Sequence, residues 1–201
     1  MLDKSATTDH EIHPLLRSRW SPRAFSPEPI PAEMVKSLLE AARWAPSAMN
    51  EQPWEFIVVP REDAEAFAGA VSTLAEGNVS WAKNAPLLIF AVARLTSSYN
   101  GAENGAAIYD LGQAVAHLSV QASALGLWTH QMGGFSADKA REVFGIPEGY
   151  KPMVVIAVGS MGDADTLVDV LRERELGPRV RKPISAFVYE GKWGEPAKII
   201  G

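Results

Sequence analysis

The sequence predicts a layered domain of mixed helix and strand, α+β or α/β, and three observations predict it. Compact apolar runs rich in β-branched and aromatic residues, "WEFIVVP" (54–60), "PLLIFAVAR" (86–94) and "PMVVIAVG" (152–159), read as strands. Stretches of helical period lie between and before them, the order expected of sheet-and-helix layers. The 201 residues are 47% hydrophobic and 21% charged, with no repeat or linker, which suits one core and one domain spanning 1–201.

In chain order, residues 10–19 read as a short helix with Ile12, Leu15 and Leu16 on one side. "AEMVKSLLEAARWA" (32–45) places apolar residues at 34, 35, 38, 39, 41, 42 and 45 and meets a stop at Pro46. "REDAEAFAGAVSTLA" (61–75) reads as a helix with acidic residues in its first turn, where the helix dipole favours them. "LTSSYNGAENG" (95–105) reads as a loop. A long helix spans about 106–125 and closes at Gly126, and a shorter one opens at Ser136 and stops at Gly145 and Pro147. The tail from about 161 to 201 mixes charge, Pro and Gly with a strand-like "AFVYEG". The helix at 106–125, "AAIYDLGQAVAHLSVQASAL", is apolar or small nearly all round, so burial on all sides is expected. A second copy of the chain or the centre of a monomer core would each provide it, and His117 reads as a hydrogen-bonded core histidine.

With 19 Lys+Arg against 24 Asp+Glu the net charge is −5, and no basic stripe points to nucleic acid. There is no cysteine, so disulfides, thiolate nucleophiles and iron–sulfur ligation are excluded, and redox chemistry needs a bound cofactor. The longest apolar run, "APLLIFAVA", is far short of the roughly 20 residues a membrane helix needs. The first sixteen residues have no apolar stretch of the secretory kind, and a cytoplasmic protein is the expectation. G-x-G-x-x-G, the P-loop and G-x-S-x-G are all missing. His10 and His13 read as a surface pair and no metal site is expected, while His130 is placed to line a pocket.

Four stretches could carry chemistry. "RSRWSPRAFSPEPIP" (17–31) holds three arginines and four prolines. Pro22 drives Ser21 into extended conformation, and alternation then puts Arg19, Ser21 and Arg23 on one face, a cradle for an anion such as phosphate. Taken alone, R-x-S-x-R more often marks a solvated turn. Arg179 and Arg181 in "GPRVRKP" alternate in the same way. "APSAMNEQPWEF" (45–56) offers Ser47, Asn50 and Gln52 between two prolines, suited either to a ligand edge or to a self-satisfied turn. In "MGGF" (132–135) the paired glycines admit close approach of a flat ligand to backbone N–H groups, or simply form a tight turn.

Together the stretches "RWSPRAFSPEPIP", "WAPSAMNEQPWEFIVV", "NAPLLIFAVA", "GLWTHQMGGF", "VVIAVG" and "RVRKPI" resemble, in order, the FMN-dependent nitroreductase family over roughly residues 12–195. The resemblance implies an α+β fold, a three-layer α/β/α sandwich around a mostly antiparallel sheet. It also implies an intertwined homodimer with FMN at its interface and the tail from about 161 to 201 reaching across. Arg19 and Ser21 would hold the FMN phosphate and ribityl chain, with Arg179 and Arg181 completing the clamp. Arg23 would lie by the N1 edge of the flavin, Asn78 by its pyrimidine edge, and Gly133 would offer its N–H to N5 with Gly134 beside it. Pro46, Ser47, Ala48 and Asn50 would reach in from the other subunit. Tyr99, in the 95–105 gate, is the candidate for stacking on substrate. Ala48 stands where many relatives have serine, Trp81 where some have lysine, and Arg179 where lysine is frequent.

The implied activity is ping-pong hydride transfer from NADH or NADPH, through flavin N5, to a nitroaromatic, a quinone or another small electron-poor acceptor. No side chain stands out as a general acid. Two alternatives share the same cradle: an FMN-binding protein for storage or sensing without reductase activity, and a flavin-dependent dehydrogenase or dehalogenase acting on a non-nitro metabolite.

Overall fold

A computed structural model of the chain describes residues 3–200. Four strands, β1 (Trp54–Pro60), β2 (Leu87–Arg94), β3 (Trp128–Met132) and β4 (Tyr150–Gly159), form one sheet in the order β1-β2-β4-β3. Every pairing is antiparallel, with a bulge in β4 at Met153, which is left unpaired between the pairs Ala91–Val154 and Val92–Pro152.

β2 is interior and covered on both faces, which is why it reads as an unbroken apolar run. Its alternate residues separate two cores. Leu87, Ile89, Ala91 and Ala93 pack with Leu38 and Ala42 of α2 (Ala32–Arg43) and with Leu111, Ala114 and Leu118 of α5 (Ala107–Ala124). Leu88, Phe90 and Val92 face the other way, onto Phe67 and Ala70 of α3 (Ala64–Ser72), Trp81 of α4 (Glu76–Ala82) and Ala140 of α6 (Ala137–Phe144). The result is a helix–sheet–helix sandwich of the α+β kind, with the antiparallel sheet as its middle layer.

Several local expectations change. The first helix, α1, covers only Pro14–Ser18, because Pro14 opens it and the His13 side chain caps it. The expected helix at 61–75 ends at Ser72, and a separate α4 follows. "WTHQM" is the edge strand β3, and the charged tail contains a helix, α7 (Asp169–Leu176), instead of a strand at "AFVYEG". α5 ends where Gly126 takes a left-handed φ of 72°. Its burial is one-sided. Ala107, Asp110, Leu111, Ala114, Val115, Leu118, Ser119 and Ala122 are inside, whereas Tyr109, Gly112, Ala116 and His117 are exposed. His117 is therefore a surface residue, and a single chain does not bury this helix all round.

Candidate functional site

The segment after α1 alternates as its sequence implies: Trp20, Pro22 and Ala24 are buried, and Arg19, Ser21 and Arg23 are partly exposed on the opposite face. Arg19 Nη1 donates to Ser21 Oγ at 3.3 Å. Arg19, Arg179 and Arg181 line one cleft of about 880 Å³ between the N-terminal segment and the residues after α7, with Lys182, His10 and Phe187 also on its walls. Burial, then the charges of Arg179 and Arg181, lower the pKa of Arg19, and burial followed by the Arg181 charge lowers that of Arg179. These are like charges held together at a cost. Among the described residues no carboxylate forms an ion pair with any of the three. Only Nη1 of each is engaged, that of Arg179 by the carbonyls of Lys4 (2.6 Å) and Arg17 (3.1 Å), and that of Arg181 by Val180 O (2.9 Å). Most of the five N–H donors on each guanidinium are left for an anion.

From this cleft the 19–23 segment runs to the end of β3. His130 Nδ1 lies 2.8 Å from Pro22 O; a carbonyl only accepts, so Nδ1 carries the hydrogen. The His130 ring packs 4.4 Å from that of Trp81, which stacks in turn on Phe25. Burial, with the Arg23 charge adding to it, takes His130 down to about 4 against the opposing bond to Pro22, so the imidazole is neutral near pH 7. Trp81, at the position where lysine occurs in some relatives, is a core residue here, only 1% exposed.

Gly133 and Gly134 follow β3 directly. The Gly134 carbonyl accepts from Ala75 N–H (2.9 Å) and from Asn78 Nδ2 (2.9 Å), and a Cβ on Gly134 would lie 2.9 Å from that same nitrogen. A side chain here would have to displace the Asn78 amide from the Gly134 carbonyl. Gly133 faces open space, and its N–H has no acceptor among the described residues. Asn78 thus stands against the glycine pair, its Oδ1 unengaged among the described residues.

Pro46, Ser47, Ala48 and Asn50 form a second group, assembled at the start of α5. Ala48 N–H donates to Asp110 Oδ2 (3.0 Å), and Ser47 Oγ accepts from Gln52 N–H (3.0 Å). The serine hydroxyl therefore satisfies its own turn. Met49, Asn50 and Gln52 have φ of 53°, 55° and 47°, left-handed conformations costing about 1–2 kcal/mol each for non-glycine residues. The segment is tied to the 95–105 loop: Tyr99 OH donates to Met49 O at 2.9 Å, and the Glu51 carboxylate accepts from Arg94 Nη2 (3.0 Å), Ser98 N–H (2.9 Å), Ser98 Oγ (2.9 Å) and Ser97 Oγ. These bonds, that from Ser97 first, hold Glu51 down to about 2.

Glu51, Asp110 and Glu175 support the site without any sequence signal. Glu51 sits in an ordinary polar run, Asp110 looks like a first-turn dipole residue, and Glu175 lies in "LRERE", which reads as a solvated face.

The nitroreductase family model matches residues 16–160, and the chain belongs to that family. Its fold is shared with a crystallised oxidoreductase containing FMN, 37% identical, with a TM-score of 0.90 over 97% of this chain and 99% of that one. An uncharacterized 15.4 kDa protein of Mycolicibacterium smegmatis is 34% identical over 66% of this chain and 87% of its own length. A protein of Archaeoglobus fulgidus, provisionally named NADH dehydrogenase/NAD(P)H nitroreductase, is 31% identical over 74% of this chain and 82% of its own.

Proposed function

We propose that the protein is an FMN-dependent oxidoreductase that takes electrons from NADH or NADPH and delivers them to a small electron-poor acceptor, a nitroaromatic or a quinone. The observation that carries this reading is the cluster of Arg19, Arg179 and Arg181, concentrated without carboxylate partners among the described residues and lining an open cleft. Such a cluster suits a phosphate. The polar groups suit FMN along its length: guanidinium donors at one end, Ser21 and Arg23 next along the chain, then the Gly133 N–H donor and the Asn78 Oδ1 acceptor beyond β3.

When bound, FMN supplies two-electron chemistry, accepting a hydride from the nicotinamide and releasing the electrons to the acceptor. The protein's part is to bind and orient. Arg19, Arg179 and Arg181 hold the phosphate, and Ser21 stands beside it. Arg23 supplies a fixed positive charge where negative charge develops. Gly133 offers a backbone donor that no side chain obstructs. Neutral His130 holds the Pro22 carbonyl and hence the direction in which Arg23 leaves the chain.

A homodimer completes the site in this reading. Pro46, Ser47, Ala48 and Asn50 belong to a different part of the chain from the arginine cleft, and α5 exposes an uncharged face. Pairing two chains through α5 brings the second group to the first, with Tyr99 at the rim and the tail beyond Arg181 across the junction.

The test is a fluorescence titration with FMN and with riboflavin, which lacks the phosphate. Wild type binds FMN far more tightly than riboflavin. Arg181→Ala weakens FMN roughly 10- to 100-fold, the worth of one charge-assisted contact, and leaves riboflavin unchanged. Arg23→Ala instead slows reduction by NADH more than it weakens FMN. Equal wild-type affinity for the two flavins would sink the assignment.

A further inference from the structure

α7 places one carboxylate against the backbone of the 19–23 segment. Glu175 is 1% exposed, although it lies in the most charged helix of the chain. Its Oε1 accepts from Arg23 N–H (2.8 Å) and Ala24 N–H (3.1 Å), and its Oε2 accepts from Arg23 N–H (3.0 Å) and lies 3.9 Å from Arg23 Nη1. Lys4 Nζ, stacked over the Trp20 ring, donates to the backbone carbonyls of Glu175 and Gly177 and so fastens the end of α7. A buried carboxylate is costly unless its oxygens are bonded and its charge is matched. Here two backbone N–H groups bond the oxygens, and the Arg23 guanidinium and the nearby Lys4 ammonium match the charge. A neutral acceptor at the Oε1 position would still take both N–H bonds, more weakly than the carboxylate does.

We propose that Glu175 is a positioning residue that sets how much of the Arg23 charge the active site feels. Its carboxylate draws the guanidinium toward α7 and offsets part of its field. The group bound beside Arg23 is then reduced less readily than an unpaired arginine would allow. This rests on the FMN reading above. It assigns to the C-terminal helix, which carries none of the expected site residues, control over the driving force of the reaction.

The test is the two-electron midpoint potential of the FMN-loaded protein, measured by dye-coupled anaerobic titration. Glu175→Gln keeps an acceptor at the Oε1 position and removes the charge. The expected result is a rise in potential, equivalent to about tenfold tighter binding of reduced over oxidised FMN, or about 30 mV for a two-electron couple. A purely structural residue would change melting temperature and leave the potential of folded holoprotein where it was. Arg23→Gln and the double variant Arg23→Gln/Glu175→Gln supply the same comparison with no unpaired arginine. Because Glu175 acts through Arg23, the potential of the double variant lies much closer to that of Arg23→Gln than that of Glu175→Gln lies to wild type. Coincident potentials of wild type and Glu175→Gln, or an equally large rise in the Arg23→Gln background, overturn the proposal and leave the FMN reading intact. Failure of the wild type to bind FMN overturns both.

Discussion

His130 and Arg23 show how a site is built from residues that do not themselves react. The imidazole is packed against Trp81, bonded to Pro22 O and neutral because burial holds its pKa near 4. In the unfolded chain the same group titrates near 6.5. Between these values the unfolded state binds more protons than the folded one. Stability from this residue is therefore complete above about pH 6.5 and is lost as pH falls toward 4, on the order of 3 kcal/mol in all. Urea unfolding at pH 7 and pH 4.5 checks this: the drop in stability should be visibly smaller in His130→Phe, which keeps the ring stacking but cannot titrate. Parallel pH profiles would contradict it. The alternation of Arg19, Ser21 and Arg23 was legible because a proline fixes its local geometry. The carboxylate opposite them was not, since a glutamate flanked by arginines in a polar helix has no feature that separates buried from solvated.

At the scale of elements, long periodic segments were readable and irregular ones were not. β1, β2 and α5 follow directly from their patterns, because burial on one or both faces dictates composition. β3 was obscured by its edge position and mixed "WTHQM", and α7 by charges whose one buried member faces inward. The link between the 46–52 turn and the 95–105 loop is tertiary: Glu51 and Tyr99 join segments separated by more than forty residues. The Glu51 pKa of about 2 lies below its ordinary 4.5, so its contribution is full above about pH 4.5 and is lost only as pH falls toward 2. The loop should stay latched throughout the neutral and mildly acidic range. Glu51→Gln should raise amide hydrogen exchange across residues 96–104 while leaving β2 protected. Unchanged exchange in that loop would mean the carboxylate does not hold it.

At the scale of the molecule, the proposed site divides into two groups within one chain, the arginine cleft with Gly133 and the strained turn at Pro46–Asn50. The expectation of an α5 buried on all sides does not hold within one chain, where the helix exposes an uncharged face. Tyr109, Gly112 and Ala116 lie on that exposed face. If two copies meet there, Ala116→Glu puts like charges and unpaired carboxylates into the interface. Light scattering should then report a dimer for wild type and a monomer for the variant, with FMN affinity reduced alongside. A wild-type monomer that binds FMN fully would refute the shared site. The central claim, that this cleft serves electron transfer through FMN, is tested most directly by anaerobic spectroscopy. Protein loaded with FMN should lose its flavin absorbance on addition of NADH or NADPH and regain it when nitrobenzene or a quinone is added. Flavin absorbance that stays unchanged with both nicotinamides would contradict the account.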